Sequence, residues 1–166
     1  MTYITEIFSS AFDRKVFSCG NEVLDNYLKT QASQDIKKKL AQLFILSDKF
    51  KIMGYYTLSA TSVSKDYIPE NIANKMPGAY NAIPSILLGR LAVDNLYKGK
   101  RLGEALLIDA LKRSFDLSEN SLGARAVIVD PIDKQAENFY TRYGFILLPG
   151  SGKMFIAMKT IKSIFL

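Results

Sequence analysis

The chain of 166 residues has no histidine, no tryptophan and a single cysteine. Each absence removes chemistry. Without imidazole there is no Ser-His or Cys-His nucleophile pair and no usual zinc site, so no metal is expected. The lone Cys19 cannot form an intrachain disulfide, which fits a reducing cytoplasm. With nothing to activate its thiol, Cys19 in "FSCGN" is expected to pack as a small buried residue ahead of a turn at Gly20. No apolar run of about 18 residues is present, so no membrane span is expected. The first residues, with Glu6 among them, lack the form of a signal peptide.

What is abundant is positive charge, 22 Lys and Arg against 16 Asp and Glu, a net +6. Such a balance points to an acidic partner, and nucleic acid is the commonest large one. Lys37, Lys38 and Lys39 stand in series. With Lys29, Lys153, Lys159 and Lys162 they are candidates for a patch on RNA phosphates, the ordinary alternative being a solvated helix face. The length suits one domain over 1–166 with a full core, and no repeat or linker divides it.

Patterning gives the path. Asn21 is placed to cap a helix whose Leu24, Tyr27 and Leu28 share a face. Strands at about 41–47 and 52–62, joined by "SDKF", should pair as a hairpin. Residues 65–84, with Pro69, Pro77, Gly78 and Pro84, read as a loop with one short helix. "SILLGRLAVDN", 85–95, reads as a buried strand interrupted at Gly89 by a bulge or close approach. From Leu102 a helix follows, with Asp109, Lys112, Arg113 and Asp116 as its one exposed stripe. "ARAVIVDP", 124–131, is another buried strand, and "DKQAENFYTRYGF", 133–145, a helix stopped at Gly144. The fold class is therefore α/β, a central mixed sheet flanked by helices, with antiparallel strands first and βα units after.

Between that strand and helix, "LYKGKRLGEALL" sets Lys98, Lys100 and Arg101 around Gly99 and Gly103. A helix start offers N–H groups without helical partners and partial positive charge, which suits phosphate. A plain basic turn is the alternative. The loop fits neither the G-x-G-x-x-G nor the G-x-x-x-x-G-K-[ST] nucleotide pattern. "GSGKM", 150–154, fails the second as well, with Leu147 and Met154 where Gly and Ser or Thr are needed and a strand-like run behind it.

The loop resembles the coenzyme loop [QR]-x-x-G-x-[GA] of the GCN5-related N-acetyltransferases, in the register Lys98, Gly99, Lys100, Arg101, Leu102, Gly103. Lys98 and Arg101 depart from that pattern. An arginine fork at 101 suits phosphate oxygens, so binding is expected to survive. A second motif, D/N-x-x-A-x-x-F-Y-x-x-x-G-F, is matched by Asp133, Ala136, Phe139, Tyr140, Gly144 and Phe145. The resemblance implies the acyl-CoA N-acyltransferase fold and acetyl-CoA as cosubstrate. It also implies pyrophosphate on 98–103, pantetheine along Leu91, Ala92 and Val93 with an oxyanion-binding N–H near Val93, and Asp133 as part of the coenzyme site. Tyr140 becomes the acid that protonates the departing thiolate. The other reading of Phe139, Tyr140, Tyr143 and Phe145 is a core aromatic group.

Residues 12–46 resemble more narrowly the acetyltransferase toxins of bacterial toxin-antitoxin pairs, through Phe17, Cys19, Gly20, Asn21, Leu24, Leu28, Ala32, Gln34 and Asp35. "MFIAMKTI", 154–161, resembles their last strand. This implies acetylation of the α-amine of aminoacyl-tRNA, arrest of translation and a ribbon-helix-helix antitoxin partner, with a homodimer allowed. Three alternatives stand beside it: an acetyltransferase for a peptide or small amine, a non-catalytic coenzyme A-binding module, and a DNA-binding regulator.

Overall fold

The computed structural model describes residues 2–166. In chain order its main elements are β1 (Glu6–Ile7), α1 (Glu22–Asn26), a π turn (Tyr27–Gln31), α2 (Ala32–Lys37), β2 (Gln42–Asp48), β3 (Lys51–Ser64) and α3 (Glu70–Ala73). There follow β4 (Ala82–Val93), α4 (Leu102–Asn120), β5 (Ala126–Val129), α5 (Lys134–Arg142), β6 (Ile146–Leu148), β7 (Lys153–Ala157) and α6 (Met158–Phe165). The strands make one sheet in the order β1-β2-β3-β4-β5-β7-β6. It is mixed: β4 and β5 are parallel, while β1/β2, β2/β3, β5/β7 and β6/β7 are antiparallel. Two compact units share the chain, one of residues up to Ser59 with Leu88–Arg113, the other of Ala60–Leu87 with Ser114–Leu166.

In the first unit the β2/β3 hairpin forms as expected, with Gln42 opposite Leu58 and Asp48 opposite Lys51. Period-two alternation sends Leu43, Ile45 and Tyr55 into a cluster with Phe12, Phe17, Tyr27 and Leu28. Phe44 and Tyr56 stack elsewhere, 5.1 Å apart. At Gly54 a Cβ would lie 2.8 Å from both Ala92 O and Leu106 Cδ1, so only glycine fits. Asn21 caps α1 by accepting from the N–H groups of Val23 and Leu24. The helix does not then run on regularly: the N–H of Ala32 reaches back five residues to Tyr27 O, a π turn that brings Tyr27, Leu28 and Ala32 all inside. Past α2, Lys39 N donates to Ile36 O and Leu40 N to Asp35 O, with Lys39 at φ +60°, which is a Schellman ending built on lysine instead of glycine.

One expectation fails on α4. The stripe Asp109, Lys112, Arg113, Asp116 is not a solvated face, because Asp109 is only 4% exposed. Its carboxylate accepts from Ile4 N at 2.8 Å, Thr5 Oγ1 at 2.6 Å and Tyr56 OH at 2.7 Å. Arg113 donates to Tyr56 OH and Thr5 O while its guanidinium lies over the Tyr3 and Phe44 rings. Periodicity marks the residues as polar but not the partners that bury them.

In the second unit Ser85, Ile86 and Leu87 of β4 pair with Ala126, Val127 and Ile128, which continue to β7. β4 begins at Ala82, earlier than expected, takes in Pro84 and runs as one strand through Gly89. The short helix expected within 65–84 is α3, and it packs Ala73 with Val63, Ile68 and Phe155. "MFIAMKTI" is half strand and half helix, since α6 starts at Met158 and buries Met158 and Ile161. The "GSGKM" stretch supplies the turn of the β6/β7 hairpin, with Gly150 and Gly152 at positive φ, and the first two residues of β7.

Candidate functional site

In the first unit the strand that ends at Val93 leads directly into the basic loop. Asp94, 5% exposed, accepts from Ser18 N at 3.0 Å and Leu96 N at 2.8 Å, and Asn95 N donates to Ser18 O. Lys98 Nζ donates to Cys19 O at 2.6 Å. The "FSCGN" turn is thus a brace for the loop, which sequence reading missed because the partners are over 70 residues apart. Lys98 holds the brace and does not reach out toward an anion. Gly20, at φ +88°, keeps the bracing turn compact: a Cβ there would sit 3.5 Å from Lys98 Nζ.

The loop itself is built on left-handed backbone. Gly99 is at φ +83° and Arg101 at φ +59°, so Arg101 occupies a left-handed position that favours glycine, the residue the family pattern has there. A non-glycine residue is strained in that conformation. Its guanidinium is turned to Glu104, at 2.9 Å, not into the loop. Lys100 lies over the Tyr97 ring at 5.6 Å. Apart from its chain neighbours and the backbone of its own helix, Gly103 has no heavy atom within 4 Å of where its Cβ would be. At Gly103 the first turn of α4 therefore presents open backbone, and the N–H groups and dipole of a helix start favour an anion. Leu91 and Val93 are half-buried on β4 and Ala92 is in the core.

In the second unit Asp133 caps α5, accepting from Ala136 N at 2.7 Å. Its carboxylate is occupied by the helix, where it fixes the start of α5. Gly144, at φ +98°, ends the turn after α5. Tyr140 lies between them, its ring 5.3 Å from Phe139 and 5.2 Å from Phe145. The rings of Phe139, Tyr140, Tyr143 and Phe145 do form an aromatic cluster, with the Tyr140 phenol within it. Burial alone pushes the Tyr140 hydroxyl up to about 12, so it keeps its proton throughout the neutral range.

Among the basic residues, Lys37, Lys38 and Lys39 are exposed at the end of α2, and no ion pair among the described residues engages them. Lys153 is different: it pairs with Asp130 at 2.7 Å. Cys19 is buried and its thiol is pushed up to about 11 by burial and then by Asp25, as an inert packing cysteine should be. Among the described residues there is no group of His, Cys, Asp and Glu that would hold a metal, and no helix long and apolar enough to cross a membrane.

No family model matches the chain. Individual proteins do. It is 33% identical over 141 residues to the tRNA-acetylating toxin of Mycobacterium tuberculosis (strain ATCC 25618 / H37Rv), covering 85% of this chain and 82% of that one. Among solved structures, AtaT complexed with acetyl-methionyl-tRNAfMet superposes with a TM-score of 0.89 at 29% identity over 98% of both chains. A tyrosine-to-phenylalanine mutant of KacT superposes equally well, 0.89 at 28% identity, over 97% of this chain and 98% of that one. By sequence shared along most of its length with the mycobacterial toxin, and by a fold shared from end to end with AtaT and KacT, the protein belongs to the tRNA-acetylating toxins, acetyltransferases of the GCN5-related fold.

Proposed function

We propose that this chain, as one domain over 1–166, acetylates the α-amine of aminoacyl-tRNA with acetyl-CoA and thereby arrests translation in the cytoplasm. The observation that carries the reading is the open backbone at Gly103, in the first turn of α4, in a chain that shares its fold with a neighbour solved with acetylated methionyl-tRNA. Acetyl-CoA supplies the thioester-activated acetyl group. The N–H groups of the loop, Lys98 to Gly103, hold its pyrophosphate, and Lys100 adds an unpaired charge. Leu91, Ala92 and Val93 offer backbone to its pantetheine arm, and an N–H near Val93 stabilises the oxyanion. Transfer forms a C–N bond and breaks a C–S bond, so one proton leaves nitrogen and one arrives at sulfur. Tyr140 serves the sulfur end. With no histidine in the chain, alignment of the amine supplies much of the rate.

Two neighbours, KacT and AtaT, have been solved as tyrosine-to-phenylalanine mutants, which supports a tyrosine as the critical group. AtaT has also been solved with the C-terminus of its antitoxin AtaR, and the AtaT-AtaR complex with DNA. By the same likeness this chain has an antitoxin partner, of ribbon-helix-helix type, and a homodimeric form is part of the proposal. Lys37, Lys38 and Lys39 contact tRNA phosphates.

The central test incubates purified protein with radiolabelled acetyl-CoA and charged tRNA, uncharged tRNA, a peptide mixture or polyamines. Label should enter charged tRNA alone. Label confined to peptide or polyamine would leave a general acetyltransferase standing instead.

Two variants dissect the site. Gly103→Val puts a β-branched side chain into the open space and should weaken acetyl-CoA binding at least about tenfold, roughly 1.4 kcal/mol by calorimetry, with the fold retained. Unchanged affinity would move the coenzyme elsewhere. Replacing Lys37, Lys38 and Lys39 by alanine should raise the KM for charged tRNA and flatten the salt dependence, by somewhat under one log unit per lost phosphate contact. Acetyl-CoA affinity should stay as it was. An unaltered salt slope would make this lysine run a solvated helix end.

A further inference from the structure

The "FSCGN" turn, part of the stretch that resembles the toxins near its start, has no role in the acetyl transfer described so far. The turn is firmly held. Phe17 is 1% exposed and packs edge-on to Tyr55, Cys19 N donates to Asp25 Oδ1 at 2.9 Å, and Asn21 caps α1. From this fixed turn, bonds run to both ends of residues 94–98. At the first end Asp94 Oδ2 accepts from Ser18 N at 3.0 Å and Asn95 N donates to Ser18 O at 2.8 Å. At the other, Lys98 Nζ donates to Cys19 O at 2.6 Å. The second oxygen of Asp94 accepts from Leu96 N at 2.8 Å and closes the segment between them. Only Gly99, Lys100 and Arg101 then lie between Lys98 and the first residue of α4, and Gly99 and Arg101 have positive φ.

That short arc is the part whose N–H groups are proposed to face pyrophosphate. Backbone donors bind an anion best when they already point at it, because ordering a loose loop on binding subtracts from affinity. The left-handed conformation of Arg101 is strained and persists only where its surroundings fix it. Resting on the proposed coenzyme site, we infer that Asp94 and Lys98 are positioning residues for acetyl-CoA, which set the path of the loop by fixing its backbone to Ser18 and Cys19 and do not touch the pyrophosphate. Asp94 makes the inference sharp. A carboxylate beside an anion-binding loop weakens anion binding by its charge, so charge and positioning give opposite signs for its removal. The N-terminal turn then belongs to the coenzyme site, although it lies more than 70 residues from the loop in sequence.

The test measures acetyl-CoA binding by calorimetry, with no acceptor present, for Asp94→Asn, Lys98→Met and the two together. Asp94→Asn removes a negative charge but turns one of two acceptors into a donor that faces an N–H group. Affinity should fall about tenfold, where charge alone would raise it. Lys98→Met keeps the stem and loses the ammonium. Affinity should fall about fivefold, with a melting temperature within about 2 °C of wild type. Because both residues act through one turn, the double variant should lose about tenfold, not the roughly fiftyfold to which independent effects multiply. With charged tRNA as acceptor, each single variant should raise the KM for acetyl-CoA while kcat and the KM for charged tRNA stay within about twofold of wild type. Unchanged or tighter binding by Asp94→Asn would overturn the inference, and losses that multiply would overturn it in favour of Lys98 as a direct phosphate ligand. Wild-type affinity in Lys98→Met overturns it alone, whatever the fold of Asp94→Asn. A kcat that falls in step with melting temperature overturns it in favour of general packing. Weakened binding by Gly103→Val but by neither of these variants would remove the brace and leave the coenzyme site standing, whereas a wild-type protein that does not bind acetyl-CoA overturns both.

Discussion

Tyr140→Phe should lower turnover on charged tRNA by roughly two to four orders of magnitude, the worth of a positioned acid, with acetyl-CoA affinity and melting temperature almost unchanged. The structure explains why binding and chemistry should separate. The ring packs edge-on to Phe139 and against Phe145, contacts a phenylalanine keeps, and the hydroxyl belongs to none of the hydrogen bonds found among the described residues. Only the proton donor is lost. Its raised pKa decides how it acts. Burial favours the neutral phenol, so the proton is present below about pH 12 and leaves above it. No alkaline limb of kcat below about pH 10 should therefore come from Tyr140. A phenol at about 12 is a weaker acid than an ordinary thiol at about 8.5, so full transfer to a free thiolate is uphill. In the proposed reaction Tyr140 is therefore a hydrogen-bond donor while charge grows on sulfur, with solvent completing the protonation. Expression of the wild-type protein without antitoxin should arrest growth, and the phenylalanine variant should be harmless. Near-wild-type turnover by Tyr140→Phe, with chemistry rate-limiting, would make Tyr140 a core aromatic and place the acid elsewhere.

Much of this site is legible in the sequence because it is local. Asn21, Asp133 and Gly144 act on backbone within three residues of themselves, so their meaning as helix ends follows from residue type and position alone. The basic loop is legible for the same reason, since glycine spacing and a helix start suffice to describe it. What is hidden is long-range. Lys98 reads as a phosphate ligand until the Cys19 carbonyl, 79 residues away, takes its ammonium. Arg101 reads as a phosphate fork, but with Glu104 three residues on it forms an ordinary helix-surface pair. α6 is hidden differently. Its Met158 and Ile161 do show helical spacing, but they follow the apolar run of β7 without a break, and a continuous apolar stretch does not reveal where its period changes. The π turn leaves no local mark, since it is the burial of Tyr27, Leu28 and Ala32 together that fixes it.

The polar residue that sequence reading misjudged most is also the one whose loss should damage the fold most. Asp109→Ala removes an acceptor that serves Ile4 N, Thr5 Oγ1 and Tyr56 OH at once and lies 3.9 Å from Arg113. Tyr56 is fully buried and the Arg113 side chain only 15% exposed, so water cannot take over those bonds. Removing one member of a buried charged network costs about 3–5 kcal/mol, because the partners stay behind unsatisfied. Total stability is typically about 5–15 kcal/mol, so the variant should be marginal, with a melting temperature lower by roughly 10 °C or more. A double-mutant cycle separates this network from simple loss of packing. Tyr56→Phe in the Asp109→Ala background should cost clearly less than Tyr56→Phe alone, because the hydroxyl has then already lost its carboxylate. Strict additivity, or a melting temperature within about 2 °C of wild type for Asp109→Ala, would return Asp109 to the solvated stripe that periodicity suggests. The network also ties the start of the chain to the helix whose first turn carries Gly103. A loosened Asp109→Ala protein should therefore be recovered by acetyl-CoA in a concentration-dependent way, its melting temperature rising as ligand binds the folded form alone.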